Sequence, residues 1–359
     1  MAQEKEIVKT RVGGQALIEG IMMLGPKKGA MAVRKPDKTI YLEEWDRKEK
    51  QWYNKAPFIR GCINFVSQLL DGYKYINKSG EISGMFEEEE QEKKEKKEKK
   101  KSRKNVPAEA VADNIAETEP AESTQTAEED KKGQGNELVN SIVMVIAGIL
   151  GIGLAVALFI VLPTFIFSGI DALIPADISP CRSLIEGIIK IVIFIAYLWL
   201  TSLMKTMKRL YQYHGAEHKA IFCYEHGDEL TVENVRKYKR FHPRCGTSFL
   251  FLTLAISILV YTVLPVNSEI FVLNFGVSQI VGDILRICCK IIFLPVIVGI
   301  SYELITLAGR YDNIVTRAIS APGLAIQRLT TKEPEDEMIE IAIAAVTPVL
   351  PENPEDAKW

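Results

Sequence analysis

Four long apolar runs divide this 359-residue chain and constrain its fold more than any other feature. Residues 141–167 are broken only by glycines, Pro163 and Thr164. Residues 184–204 follow, with Glu186 and Lys190 near their start. Residues 248–265 form a third run, the shortest, and 284–308 a fourth that carries Arg286, Lys290 and Glu303. Each is long enough to cross a hydrocarbon core as a helix, which takes about 17–25 residues. Residues 270–280 are apolar but short, so they read as an interfacial or re-entrant segment. The first ten residues are charged and lack the apolar core of a signal peptide.

Loop charge orients these spans. Residues 168–183 contain one basic residue, Arg182, and residues 266–283 contain none, whereas residues 205–247 contain nine Lys or Arg. The tail past Ala308 adds Arg310, Arg317, Arg328 and Lys332. The positive-inside bias then predicts both termini and the 205–247 loop in the cytoplasm. The formal net charge of −2 is too small to suggest a nucleic-acid partner.

Around the spans the chain divides into four parts. Residues 1–86 read as a small α+β cytoplasmic unit, with strands over 15–23, 30–33 and 39–45 and an amphipathic helix over 56–77. It is too short for an independent core and should pack on the rest of the chain. Residues 87–136 begin as a Glu/Lys block and continue rich in Ala, Glu and Thr, a composition for a flexible charged linker. Residues 137–308 form the four-span domain with its loop at 205–247, and 309–359 a cytoplasmic tail with a short docking helix over 338–346. The expected class is mostly α: a four-helix polytopic membrane domain with a small α+β unit and a flexible linker.

All four histidines lie between His214 and His242. His214-Gly215-Ala216-Glu217-His218 places two imidazoles and a carboxylate on one helical face, since residues three and four apart are neighbours. His242-Pro243-Arg244-Cys245 adds a third imidazole and a thiol. This is a ligand inventory for a divalent ion, Zn first, and H-x-x-E-H is the order of the inverted zinc peptidases. The candidate metal ligands are His214, His218, His242, Cys245 and Glu303, with Cys223 in reserve. The competing reading is a set of ordinary polar residues on a juxtamembrane helix. Glu303 is included because an ionisable side chain within a span is expensive and marks a site; pairing with Arg310 is its alternative. Glu217 is the candidate general base, and Lys219 and Arg244 are candidate cations for a developing oxyanion. Glu19, after Gly13-Gly14, is a weaker addition. The six cysteines form no C-x-x-C pair. The chain from 205 to 213 has no Pro or Gly, so the second span is expected to continue unbroken to His214. Thr231 is expected to cap a helix over 232–238, and Thr247 or Ser248 to cap the third span.

Several long segments, GGQALIEGIMMLGP, YHGAEHKAIFCYE, LTVENVRKYKRFHPRCGTSFLF, GISYE and PGLAIQRLTTKEPEDEMIEIAI, resemble the YqhQ-like family of bacterial membrane proteins. The likeness covers nearly the whole chain outside 87–136, with the family's A-E-H-K block at 216–219 and its H-P-R-C-G-T block at 242–247. It implies a multi-pass protein of the bacterial cell membrane with a suspected metal, and supplies no reaction. Two functions therefore stand at this point. One is a metal-dependent hydrolase-like enzyme acting on a peptide or lipid at the bilayer surface. The other is an assembly factor, scaffold or transporter in which the metal closes a structural site.

Overall fold

The computed structural model describes residues 8–47, 52, 56–85, 146, 148–151, 153–264, 268–351 and 353. The linker expected over 87–136 lies outside them, as do parts of the first apolar run. The chain divides into two units, one of residues 1–89 with 176–359 and one of residues 90–175.

The larger unit opens with four antiparallel strands paired in sequence order: β1 (Gly13–Leu17), β2 (Gly20–Leu24), β3 (Lys28–Arg34) and β4 (Ile40–Asp46). The single strand expected over 15–23 is thus two strands joined by a turn at Ile18 and Glu19. The turn is hidden in an apolar run because Glu19 takes φ 50, a conformation usually left to Gly or Asn. Its carboxylate is held by Arg209 Nε at 2.6 Å and by the Tyr213 hydroxyl at 3.1 Å, bonds that stabilise the strained turn.

β2 and β3 are buried on both faces. Strand alternation sends Ile21, Met23, Ala30 and Ala32 to one side and Met22, Met31 and Val33 to the other. The helix α1 (Ile59–Ile82) closes the second side through Tyr75, which stacks on Trp45.

The smaller unit carries an apolar helix that ends as α2 (Leu162–Leu173), preceded by a widened turn at Ala157–Val161 just before Pro163. Proline cannot donate in a regular helical ladder, and such turns commonly mark the irregularity.

The remaining helices of the larger unit are α3 (Arg182–Ser202), α4 (Lys205–Glu225), α5 (Val232–Arg236), α6 (Gly246–Val263), α7 (Ser268–Phe275), α8 (Gln279–Arg310), α9 (Ile314–Thr330) and α10 (Asp336–Val346). Among the described residues, four helical stretches are long and apolar enough to cross a membrane: Gly148–Leu173, Ser179–Ser202, Gly246–Val263 and Gln279–Arg310. The architecture is mostly α, with four candidate spans and a small antiparallel sheet, as the residue pattern predicts. The short run 270–280 divides between α7 and the first turn of α8. Within the larger unit α6 packs against α3, α8 and α9.

The expected unbroken helix from the second span to His214 is not formed. It stops at Leu203, and Met204 turns extended at ψ 134 before α4 begins. Tertiary packing overrides local propensity here. The break lets α4 lay Tyr213, Ala216, Ala220 and Cys223 against the first face of the sheet, together with Met338, Ile341, Ala342 and Ala345 of α10. Ala216 and Ala220 present little side chain, so the backbones approach closely. N-terminal strands, central loop and C-terminal helix thus share one core.

α1 meets α8 at paired glycines. A side chain on Gly61 would strike Tyr302, and one on Gly299 would strike Phe58. Arg60 forms an ion pair with Glu303 beside this crossing, and the Cys62 thiol lies 3.0 Å from the Pro295 carbonyl oxygen.

Candidate metal centre

His214, Glu217 and His218 lie on one face of α4, three and four residues apart. Cys245 is the N-cap residue of α6. The ligand-capable atoms of His214, His218 and Cys245 all lie within 4.8 Å of one another. His214 Nε2 is 3.0 Å from Cys245 Sγ, and the two histidine rings stand edge to face at 4.4 Å. His218 and Cys245 are buried, and His214 is partly exposed.

Each imidazole is oriented from behind. His214 Nδ1 lies 2.8 Å from the Thr330 carbonyl, and His218 Nδ1 lies 2.6 Å from the Arg240 carbonyl. A carbonyl can only accept, so both Nδ1 atoms carry the proton, and each ring keeps Nε2 for the other side. Metal-binding histidines are commonly held in this way.

Burial opposes ionisation of both His214 and Cys245, but their proximity wins. The Cys245 sulfur pushes His214 up to about 9, and the two imidazoles bring the Cys245 thiol well below its usual range. The helix N-terminus adds in the same direction. The thiolate form is the one that binds soft metals.

Glu217 stands apart from the trio. Burial raises its carboxyl, and the neighbouring imidazoles only partly offset that. Its Oε1 accepts the Gly14 amide at 3.0 Å. A side chain at Gly14 would strike the Met22 carbonyl and Met23, so glycine permits this approach. Its Oε2 is buried with no protein partner among the described residues. An orphaned buried carboxylate oxygen carries a full desolvation cost. A water or cation beside the trio would relieve it, so the residues present fit a metal.

The other expected ligands are engaged elsewhere. His242 is buried, its ring 5.5 Å from that of His218 and its Nε2 3.7 Å from Glu225 Oε2. Burial brings it down to about 4 despite that carboxylate, so it is neutral at pH 7 and the contact is not an ion pair. Glu303 is held by Arg60 and the Phe58 amide and is outside the trio. Lys219 is buried; its ammonium contacts the Arg236 carbonyl at 3.0 Å and the Glu333 carboxylate. Arg244 is paired with Glu225. Both expected oxyanion cations are thus committed to other carboxylates. Cys223 is buried near the carbonyls of Asp228 and Glu229. Thr231 caps α5 as expected, whereas neither Thr247 nor Ser248 caps α6.

Two supporting residues and one segment escape a reading of the sequence. Glu225 accepts from the Thr10 amide and hydroxyl and pairs with Arg244, tying the first residues of the chain to the second motif. Its position seven after His218 on one helix face was a usable signal. Gln327 is fully buried and clamps His242, accepting its amide and donating to its carbonyl, both at 2.7 Å. Residues 330–336 cross α4 as a strap. The Lys332 amide donates to the Tyr211 carbonyl, and the Lys332 carbonyl fills the space a side chain on Gly215 would need. Nothing local announces a partner 85 or more residues away.

The family model described as a protein of unknown function, DUF1385, matches residues 56–352. The "Uncharacterized protein YqhQ" of Bacillus subtilis (strain 168) is 29% identical over 350 residues, covering 96% of this chain and 94% of that protein. No solved structure matches the chain. The four apolar helices and the His/His/Cys group therefore sit in a chain that belongs to the DUF1385 family, whose function is unknown.

Proposed function

We propose that this chain is a metal-dependent membrane enzyme of hydrolase-like chemistry, with its centre at the cytoplasmic surface of the bilayer. His214, His218 and Cys245 hold a Zn-like divalent ion, and Glu217 is the general base. The orphaned Glu217 Oε2 beside a three-ligand group carries this reading. Three protein ligands with an open position is the catalytic pattern, and four closed ligands the structural one. When bound, the ion would supply Lewis acidity. Glu217, its Oε1 anchored by Gly14, holds Oε2 ready to take a proton. Burial raises its affinity for that proton above that of an ordinary carboxylate, the direction a general base needs. Thr330 and Arg240 orient the imidazoles through their carbonyls. Lys219 and Arg244 brace the loop through Glu333 and Glu225. The substrate class, a peptide or a lipid, belongs to the proposal only as a group reachable at the membrane surface.

A structural ion is the second reading, favoured by the burial of His218 and Cys245. One variant series separates the two. Purified full-length protein should carry about one transition-metal ion per chain, and H218A and C245S should lose it. E217Q should keep metal and fold while failing to complement a deletion strain, since loss of a general base costs about 10²–10⁴-fold. Full complementation by metal-replete E217Q would leave the structural ion. Protein free of metal after purification without chelators would sink both, leaving Cys245 and His214 as a thiolate–imidazolium pair.

A further inference from the structure

A second charged cluster lies inside the candidate spans, and the metal reading makes no use of it. Glu186 on α3 is 1% exposed, and cations surround it. Arg182 Nε lies 3.0 Å from its Oε1; from α8, Arg286 pairs with its Oε2 and Lys290 Nζ approaches Oε2 to 3.3 Å. Lys190, one turn further along α3, feels the field of both Glu186 and Arg286. Four cations thus face one carboxylate.

The acid does not satisfy Arg286 and Lys190. Arg286 is 3% exposed, and its Nε is buried with no hydrogen-bond partner among the described residues. Lys190 forms no hydrogen bond or ion pair among the described residues. Asp283, three residues before Arg286, joins none of these pairs. Lys290 is further held near Tyr261, whose hydroxyl donates to the Lys290 carbonyl at 2.7 Å and whose ring lies 5.5 Å from the ammonium.

A cation left uncompensated in an apolar span, as Lys190 is among the described residues, costs about 2.5–3.5 kcal/mol or more. Snorkelling to the nearest interface is the ordinary escape for lysine. It does not serve Arg286, which is enclosed. An anion seated among these groups would serve all of them. Guanidinium and ammonium groups together suit the several oxygens of a phosphate. The cluster also stands away from the His/Cys centre. Glu186 precedes Ser202, at the other end of α3, by 16 residues, about 24 Å of helix.

We propose that Lys190, Arg286 and Lys290, together with Arg182, bind a phosphate-class anion within the membrane-spanning helices. The proposal is independent of the metal reading. Anionic lipid headgroups and free phosphate share this chemistry, and the test separates them.

The full-length protein is placed in phosphatidylcholine nanodiscs, and its thermal unfolding is followed with phosphatidylglycerol added to the discs or with inorganic phosphate added to the buffer. An anion that binds the folded state alone should raise Tm by about 5 °C near saturation. A shift with phosphatidylglycerol alone assigns the site to a lipid headgroup, and one with phosphate assigns it to a soluble anion. K190Q should lose at least half of the shift. Lys190 makes no hydrogen bond or ion pair among the described residues, so K190Q should unfold no earlier than the parent in phosphatidylcholine. R236Q, on the exposed part of the basic loop, should keep the whole shift. No shift with either anion would overturn the proposal. So would an equal shift in K190Q, or a K190Q protein destabilised in phosphatidylcholine.

Discussion

Glu225 and Arg244 illustrate how single residues hold the candidate centre. Both are buried or nearly so, and Glu225 also receives the Thr10 amide at 2.7 Å. Flanking charge and hydrogen bonds bring its carboxyl down to about 2 despite burial, so it remains ionised. Removing one member of a buried pair leaves the other uncompensated, at a cost of roughly 3–5 kcal/mol, whereas removing both is often nearly neutral. E225Q should therefore lower unfolding stability by that amount in detergent, and E225Q/R244M should recover at least half. A double variant as unstable as the sum of its single changes would show that the two act separately. His214, Glu217 and His218 were legible as a group because their spacing alone puts them on one face. The role of Cys245 was legible as a chemical type. The pairing of Glu303 with Arg60 was not, because that partner lies 243 residues away in sequence.

At the scale of elements, α4 and the strap at 330–336 form the joint that shapes the centre. Gly215 sits in the middle of the first motif because the Lys332 carbonyl occupies the place of its side chain. The obstacle is backbone, so it cannot swing aside. G215A should cost about 1–3 kcal/mol in unfolding stability, in the range of an overpacked site. Because Thr330 orients His214, it should also weaken metal retention. Equilibrium unfolding and metal analysis of the same preparation check both, and a stable, metal-replete G215A would show that the strap yields. Helix positions were legible to within a few residues wherever a long apolar or amphipathic pattern ran. The stop at Leu203 was not, since no breaker residue stands there. The β1–β2 turn was hidden as well, because Glu19 adopts its positive φ under restraint from α4.

For the whole molecule, four apolar helices and nine basic residues between 205 and 247 carry a topological expectation. The positive-inside bias predicts the 205–247 loop and both termini in the cytoplasm. A cysteine introduced at Lys237 should resist an impermeant thiol reagent in intact cells and react after lysis, while one at Asp177 should react in intact cells. Reversed labelling would put the His/Cys group on the outer face. Composition and periodicity alone determined the four candidate spans, the presence of a small sheet and the ligand types offered by 214–245. These follow from local rules: apolar length, alternation and the 3.6-residue helix period. Tertiary structure alone decided which ligands converge, which cations are already paired and which carboxylate oxygen is left without a partner. Those outcomes depend on the strands before residue 25 and the strap after residue 329 closing on one helix between them. Contacts across such separations are set by the burial of a shared core, and no local pattern encodes them.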